Sequence, residues 1–347
     1  MVPTPFLVDG KTQTVYSVLQ ARKRDKHTDI KYDRQTMIMS DKGLVSLDWY
    51  PQRPPLLKST QSSDSSIGSR TNAESKGVPI VIVIPGSMGS SSEYYIRHLA
   101  KTLSTCGPPD CRVVVLNHRG YARTPLLTTR FQSFAFTDDI HEVVQYLSES
   151  FPDSSLGAVG FSMGANMLTK YLGDQGEECK LSAAVTICCP YNVAKLYETI
   201  LKPTLFNNRV LQPNMTESAQ KFIRRNKDII QSGSRQYDID ALLKAKNVRQ
   251  IDELLIAPIS GYSSLEAYYA ESSSGPVVSQ IVTPLLAINS KDDPMVPIDA
   301  IPIDSFRSNP NTALVLTGRG GHLGFFSGIV PKIWYMDPLV QFFSALL

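Results

Sequence analysis

The sequence predicts an α/β fold with a mostly parallel central sheet, helices on both faces and a helical insertion. From position 78 onward, short apolar runs alternate with helical stretches, which is typical of a parallel sheet covered on both sides. One interval between two of these runs is long and helical, which indicates an insertion. The hydrophobic content of 42% and the charged content of 19% are those of an ordinary globular protein.

A hairpin precedes the alternating part of the chain. Residues 35–40 and 44–49 flank Asp41-Lys42-Gly43, which is a strong turn signal. Residues 58–77 are rich in Ser, Thr, Asn and charge, and this composition predicts a disordered loop. We therefore expect a single domain over 1–347 that carries this loop.

Six apolar runs predict strands that are buried on both faces, and three stretches between them predict helices. The predicted strands are 79–85, 112–117, 155–161, 182–188, 284–289 and 312–317. The predicted helices lie near 93–105, 138–150 and 163–173.

The interval 191–280 is too long for a simple connection and contains several apolar helical turns. We interpret it as a helical lid over the candidate site described below. Such lids exclude water and shape a pocket for an acyl chain. The alternative is that these helices only cover the edge of the sheet.

The segment 159–166 contains a Gly-x-Ser-x-Gly motif centred on Ser162. A strand precedes it and a helix follows, which is the context of a nucleophile elbow, and Gly160 and Gly164 give the strained turn backbone room. Ser162 is therefore the candidate nucleophile. The backbone N–H of Met163, at the start of the helix, is the first candidate donor to an oxyanion.

A candidate acid and a candidate base follow Ser162 in the order found in such enzymes. Asp292 and Asp293 come just after the strand at 284–289, where a triad acid lies. We prefer Asp293, because an apolar-Val-Pro stretch follows it; Asp292 stays the alternative, or a turn or capping residue. Of the five histidines, only His322 follows these acids, and it lies in a glycine-rich loop.

These residue types complement one another chemically. A serine hydroxyl is a poor nucleophile at neutral pH, so His322 would take its proton while Asp293 holds the imidazole tautomer. The oxyanion needs a second donor from the loop after strand 79–85. We assign it to the backbone N–H of Ser87, with Met88 as the next candidate.

Charge and cysteine content limit the partners and the compartment. A net charge of +3 does not by itself imply a nucleic-acid partner, and we expect none. Five cysteines without C-x-x-C spacing indicate a reduced compartment and no zinc site, and we expect neither a cofactor nor a metal ion. Without a signal pattern or an apolar run of about 18 residues, we expect a cytoplasmic protein with no membrane span. Exposed apolar residues on the insertion are compatible with peripheral contact with a membrane or a lipid droplet.

The chain resembles the α/β-hydrolases, within the branch of bacterial YheT-type hydrolases, mammalian abhydrolase-domain lipases and fungal medium-chain acyl ester synthases. The resemblance covers most of the chain. The motifs that carry it are Pro5-Phe6-Leu7, Gly10-Lys11-Thr12-Gln13-Thr14, Asn117-His118-Arg119-Gly120, Gly160 to Asn166, Tyr268-Tyr269, Asp292-Asp293-Pro294 and Gly320 to Phe325. Three positions depart from the branch: Pro85 and Lys11 stand where histidine is common, and Ser327 stands at the acid position of a signature seen in some acyltransferases.

This resemblance implies the α/β-hydrolase fold and a serine hydrolase that cleaves medium-chain acyl esters or lipids through an acyl-serine intermediate. It also implies transfer of the acyl group to an alcohol, although Ser327 favours hydrolysis. The alternative from another class is a non-catalytic protein that binds a lipid or a small ligand in the same fold, because the fold alone does not guarantee chemistry.

Overall fold

The computed structural model describes residues 1–21, 30–54 and 77–347. Apart from Gly77, the loop predicted over 58–77 lies outside the described residues. The strands are β1 (Asp33–Ile38), β2 (Leu44–Tyr50), β3 (Ile80–Ile84), β4 (Arg112–Asn117), β5 (Leu156–Phe161), β6 (Ala183–Ile187), β7 (Leu285–Ser290) and β8 (Thr312–Thr317), with the two-residue strands β9 (Phe326–Ser327) and β10 (Lys332–Ile333).

In the described part of the chain, eight strands form one sheet in the order β1-β2-β4-β3-β5-β6-β7-β8. The hairpin of β1 and β2 is antiparallel and joins β4, whereas β3 to β8 all run parallel. The predicted mostly parallel sheet is therefore confirmed. Because the carboxyl ends of parallel strands meet at one edge, the loops after β3, β5, β6, β7 and β8 are brought close together.

The apolar runs of the central strands are explained by burial on both faces. In β3, Ile80, Ile82 and Ile84 belong to one hydrophobic core, and Val81 and Val83 belong to the core on the opposite face. All five side chains are fully buried. A strand covered on both sides needs apolar residues at every position, and the β-branched residues here also suit a strand backbone.

Helices cover both faces of this sheet. Helices α3 and α4 contribute to the first core, and α2 and α12 contribute to the second. The helices are α1 (Gly10–Ala21), α2 (Tyr94–Cys106), α3 (Asp138–Ser150), α4 (Met163–Gln175), α5 (Val193–Leu201), α6 (Gln212–Gln231), α7 (Ile239–Leu243), α8 (Val248–Ile251), α9 (Ala257–Ile259), α10 (Leu265–Ser272), α11 (Ile303–Ser308) and α12 (Met336–Leu346). Among the described helices, none combines the length and the apolar character that crossing a membrane requires.

The segment between β6 and β7 is helical, as predicted, and holds α5 to α10. Two stretches of π-helix, Asn207–Leu211 and Asp252–Ile256, lie within it. A third hydrophobic cluster, which includes Phe222 and Leu255, packs this segment against Phe131 in the loop that follows β4. The insertion therefore has a small core of its own beside the sheet.

The sequence patterns above do not predict α1. This helix begins after Asp9, whose carboxylate accepts a hydrogen bond from the Thr12 N–H at 2.9 Å. An aspartate that caps a helix in this way satisfies one of the free N–H groups of the first turn. An aspartate at position 9 could therefore have indicated that a helix begins at Gly10.

Candidate active site

The turn between β5 and α4 carries Ser162 in a strained conformation. Its φ angle is 52°, in the left-handed region that a residue with a side chain rarely adopts. A Cβ at Gly160 would lie 2.5 Å from the carbonyl oxygen of Gly164, and one at Gly164 would lie 2.4 Å from that of Ile84. Both motif glycines are therefore needed for the helix to start this close to the sheet.

The structure brings the three predicted side chains into one hydrogen-bonded chain. The Ser162 hydroxyl donates to His322 Nε2 at 2.8 Å, and His322 Nδ1–H donates to Asp293 Oδ2 at 2.8 Å. Asp293 and His322 are both buried. This arrangement matches the hydrogen-bond pattern of an activated serine, in which the acid orients the base and the base contacts the nucleophile.

The carboxylate of Asp293 is fixed by the turn that follows it. Its Oδ1 accepts hydrogen bonds from the backbone N–H groups of Met295 at 2.8 Å and Val296 at 3.0 Å. The other oxygen, Oδ2, is left for His322. Of the two neighbouring aspartates that the sequence offers, Asp293 is the one in contact with the imidazole.

Side chains from other elements hold the loop that carries His322. The Gly321 N–H donates to Asp292 Oδ1 at 3.0 Å, and the Leu323 N–H donates to Cys188 Sγ at 3.2 Å. Cys188 directly follows β6. Burial, followed by the nearby Asp293 charge, raises the pKa of its thiol well above the usual value, so the thiol stays protonated. Sequence reasoning missed this residue, because no spacing signal links it to His322.

One group in the described residues has the side-chain types that bind metals, with the possible ligand atoms within 4.8 Å of one another. It consists of Cys188, Asp293 and His322. Their chemistry does not favour a cation. Nδ1 of His322 is already bonded to Asp293 and Nε2 to Ser162, so neither ring nitrogen is left for a cation. The group is better explained as the buried end of the hydrogen-bonded chain.

The loop after β3 passes beside the candidate nucleophile. The Gly89 N–H donates to the Gly86 carbonyl at 3.0 Å, which closes a tight turn with Ser87 and Met88 at its centre. A Cβ at Gly86 would lie 3.2 Å from the Cβ of Ser162. A residue with a side chain at Gly86 would therefore crowd the serine.

Two backbone amides near the serine are unengaged. Within the described residues, neither the Met163 N–H nor the Ser87 N–H donates to a hydrogen bond. The start of the Ser87 turn is fixed by His118, whose Nε2–H donates to the Pro85 carbonyl at 3.2 Å. Burial lowers the pKa of His118 to about 4, so at neutral pH its imidazole is uncharged.

A cleft of about 490 Å³ opens in front of Ser162 and His322. Pockets that hold small ligands have this size and are largely apolar with a few polar groups. The apolar walls are formed by Val15, Val18 and Leu19 of α1, by Phe206, Val210, Leu211 and Met215 of the insertion, and by Met295 and Leu323.

Comparisons with known proteins place this geometry in context. A family model described as "alpha/beta hydrolase fold" matches residues 79–329. The chain is 32% identical to the human phospholipase ABHD3, over 99% of this chain and 78% of that protein. It is 30% identical to the medium-chain fatty acid ethyl ester synthase/esterase 2 of Saccharomyces cerevisiae, over 98% of this chain and 84% of that protein. The solved structure of the Pyrococcus furiosus esterase Pf2001 is similar in fold, with a TM-score of 0.56 at 15% identity, over 94% of this chain and 96% of that one.

Proposed function

This chain belongs to the alpha/beta hydrolase family, and we propose that it is a serine hydrolase that cleaves carboxylic esters through an acyl-serine intermediate. The single observation that carries the proposal is the hydrogen-bonded chain from Ser162 through His322 to Asp293. The relatives named above support an ester or lipid as the substrate class.

Each residue then has a defined step. His322 Nε2 accepts the proton of Ser162 as the serine oxygen attacks the ester carbonyl carbon, and Asp293 stabilises the imidazolium. The carbonyl oxygen gains negative charge, which the N–H groups of Met163 and Ser87 stabilise. His322 then donates the proton to the leaving alcohol, and water completes the cycle by attacking the acyl-serine with His322 as base.

The cleft supports a medium-chain acyl group. Its walls are mainly apolar, and its volume of about 490 Å³ is large enough for such a chain. Residues of the insertion 191–280 form one wall, so we assign the insertion the role of a lid within a single domain. Transfer of the acyl group to an alcohol uses the same acyl-serine, and the name of the yeast ester synthase/esterase supports it.

The rim of the cleft supports contact with a lipid surface. Val18 and Leu19 line the cleft on α1, and their side chains are 52% and 47% exposed. Leu205, beside the cleft residue Phe206, is 70% exposed. Apolar side chains exposed around an apolar cleft favour contact with a membrane or a lipid droplet, where the substrate would reside.

The test is covalent labelling with a fluorophosphonate probe combined with turnover of p-nitrophenyl octanoate. We expect the protein to be labelled and to hydrolyse the ester, and Ser162→Ala to lose both properties. Ser308→Ala, which changes an exposed serine on α11, is the matched control and should keep both. Addition of ethanol to the assay measures acyl transfer as ethyl octanoate formed.

Labelling that persists in Ser162→Ala would refute the assignment of the nucleophile. Bound lipid without any burst of acyl-enzyme in the unaltered protein would instead favour the non-catalytic binding protein.

A further inference from the structure

We propose that Thr14 of helix α1 is a positioning residue for His322, an inference that rests on the proposed function. Its hydroxyl fixes the backbone of the loop that carries the imidazole. Helix α1 lies outside residues 79–329, the part of the chain that matches the family model. This role would explain why the Gly10 to Thr14 motif is part of the catalytic arrangement.

The hydrogen bonds of Thr14 fix the direction of its hydroxyl. Its O–H donates to the Gly10 carbonyl at 2.6 Å, one turn back on the same helix. The oxygen therefore faces His322 as an acceptor, and the His322 N–H donates to it at 2.8 Å. Thr14 is 5% exposed, so water does not readily replace this contact. A buried N–H that loses its acceptor is left unsatisfied, so loss of this bond favours a shift of the loop.

The first turn of α1 is wedged between the two loops that carry the acid and the base. A Cβ at Gly10 would lie 1.8 Å from the carbonyl oxygen of Asp292. A Cβ at Gly321 would lie 2.1 Å from the carbonyl oxygen of Gly10, and Gly321 has a φ angle of 59°. Backbone therefore meets backbone at this place, and glycine is required on both sides of the contact.

Two neighbours of Thr14 tie the same face of the helix to the segment after His322. Gln13 Nε2 donates to the Phe326 carbonyl at 3.1 Å, and the Phe326 N–H donates back to Gln13 Oε1 at 2.6 Å. The Ser17 hydroxyl donates to the Leu323 carbonyl at 3.1 Å. Positions 13, 14 and 17 of one helix thus contact positions 322, 323 and 326 of the loop, and Thr14 is the one that reaches His322 itself.

The backbone position of this loop matters because the His322 ring has to hydrogen-bond to Ser162 and to Asp293 at the same time. Its ring bonds to both at 2.8 Å, so a shift of the backbone lengthens at least one of these contacts. Glycines at 320, 321 and 324 allow the loop backbone many conformations. Contacts from other elements are therefore needed to fix its conformation. A misplacement of about 1 Å in a catalytic group can cost about 10²-fold in rate.

The experiment compares four variants of the full chain. Thr14→Val removes the hydroxyl at constant shape, while Thr14→Ala and Thr14→Ser both lack the γ-methyl group and differ only in the hydroxyl. Thr12→Val makes the same chemical change on the same helix, where the only hydrogen-bond partner of the hydroxyl among the described residues is Asp9. The readouts are kcat and KM for p-nitrophenyl octanoate, and the downfield proton resonance of His322 Nδ1–H.

We expect Thr14→Val and Thr14→Ala to lower kcat about 10- to 100-fold with little change in KM, and to broaden the His322 resonance. Thr14→Ser should restore kcat to within about threefold of the unaltered protein, and Thr12→Val should leave kcat and the resonance unchanged.

Equal kcat in Thr14→Ala and Thr14→Ser would overturn the proposal, as would an equal loss in Thr14→Val and Thr12→Val. The Ala and Ser pair decides the question even if the Val variant does not fold. Failure of the proposed function can be distinguished from failure of this inference. If Ser162 is not the nucleophile, Ser162→Ala keeps its turnover of p-nitrophenyl octanoate, whatever the Thr14 variants show.

Discussion

At the scale of single residues, two adjacent aspartates have separate tasks. Asp293 accepts from the imidazole of His322 and from two backbone amides of its own turn. Asp292 accepts from the Gly321 N–H, so it acts on the loop and not on the ring. The carboxylate of Asp293 therefore sets the tautomer of the His322 imidazole. The carboxylate of Asp292 helps to fix the backbone of the loop that carries His322.

This division predicts unequal effects of two conservative variants. Asp293→Asn should lower kcat for an ester about 10³- to 10⁴-fold, because an amide cannot stabilise the imidazolium and favours the wrong tautomer. Asp292→Asn keeps an oxygen for Gly321 and should cost about tenfold or less. Steady-state kinetics with p-nitrophenyl octanoate measures both. A larger loss in Asp292→Asn than in Asp293→Asn would reverse the two roles.

The sequence identified Ser162, Asp293 and His322 as candidates because their local patterns and their order along the chain are informative. Thr14 and His118 lie in motifs that carry the family resemblance, but the sequence assigned neither of them a role, and it did not single out Cys188. These three hold the catalytic loops through backbone atoms, and a contact of one side chain with a distant backbone leaves no periodic or spaced pattern. Thr14 and His322, for instance, are 308 positions apart.

At the scale of elements, buried polar residues add hydrogen bonds to the hydrophobic contacts that join the insertion to the rest of the chain. Asn166 on α4 donates to the Ser272 carbonyl at 2.7 Å and accepts from the Ser274 N–H at 3.1 Å. Within the insertion, the Tyr269 hydroxyl donates to Asp252 at 3.2 Å. The Tyr269 ring also stacks on Tyr197, with centroids 4.6 Å apart. Asp252 is thus the acceptor at which the second π-helix meets α10.

Asp252 makes the stability of this region depend on pH. Burial raises its pKa to about 7, although hydrogen bonds from Tyr197 and Tyr269 oppose the shift. Because the folded value lies above the unfolded one, the stability that this group contributes is complete below about pH 4 and is lost as pH rises through about 7. Asp252→Asn should therefore gain stability relative to the unaltered protein as pH rises over this interval.

Urea unfolding at pH 5, 6, 7 and 8 measures the difference in free energy of unfolding between the two proteins. Asp304→Asn, at an exposed position on α11, is the control and should show no such trend. A difference that stays constant from pH 5 to pH 8 for Asp252→Asn would contradict the expectation.

The elements differ in how well their sequences predict them. The parallel strands lie within two residues of their predicted bounds. Burial on both faces forces an unbroken apolar run in the central ones, whereas β8 lies at the edge of the sheet and is only partly buried. Helix α1 is different. Its first five residues include Gly10, Thr12 and Thr14, which have low helix propensity, and its packing against the His322 loop outweighs this preference.

At the scale of the whole molecule, helix α1 and the insertion both line the same cleft. Each wall leaves apolar side chains exposed at the rim: Val18 and Leu19 on α1, and Leu205 in the insertion. Such a rim around an apolar cleft would let a lipid pass from a membrane to Ser162 without crossing water.

Polar substitution of the rim should therefore weaken binding to lipid. The triple variant Val18→Ser, Leu19→Ser, Leu205→Ser should reduce the affinity for phosphatidylcholine vesicles about tenfold or more, because each lost apolar side chain removes buried area. Co-sedimentation with vesicles measures this. Ile38→Ser, at an exposed position on the edge strand β1, is the matched control. An equal loss in both proteins, or no loss in either, would argue against a lipid-facing rim.

The contact between Thr14 and His322 also bears on how the protein is made. Thr14 of α1 is synthesised 308 residues before His322. A nascent polypeptide thus carries the serine and its elbow well before the base, and before the helix has anything to dock on. Neither the hydrogen bond from Ser162 to His322 nor the one from His322 to Thr14 can form until the histidine loop has been made.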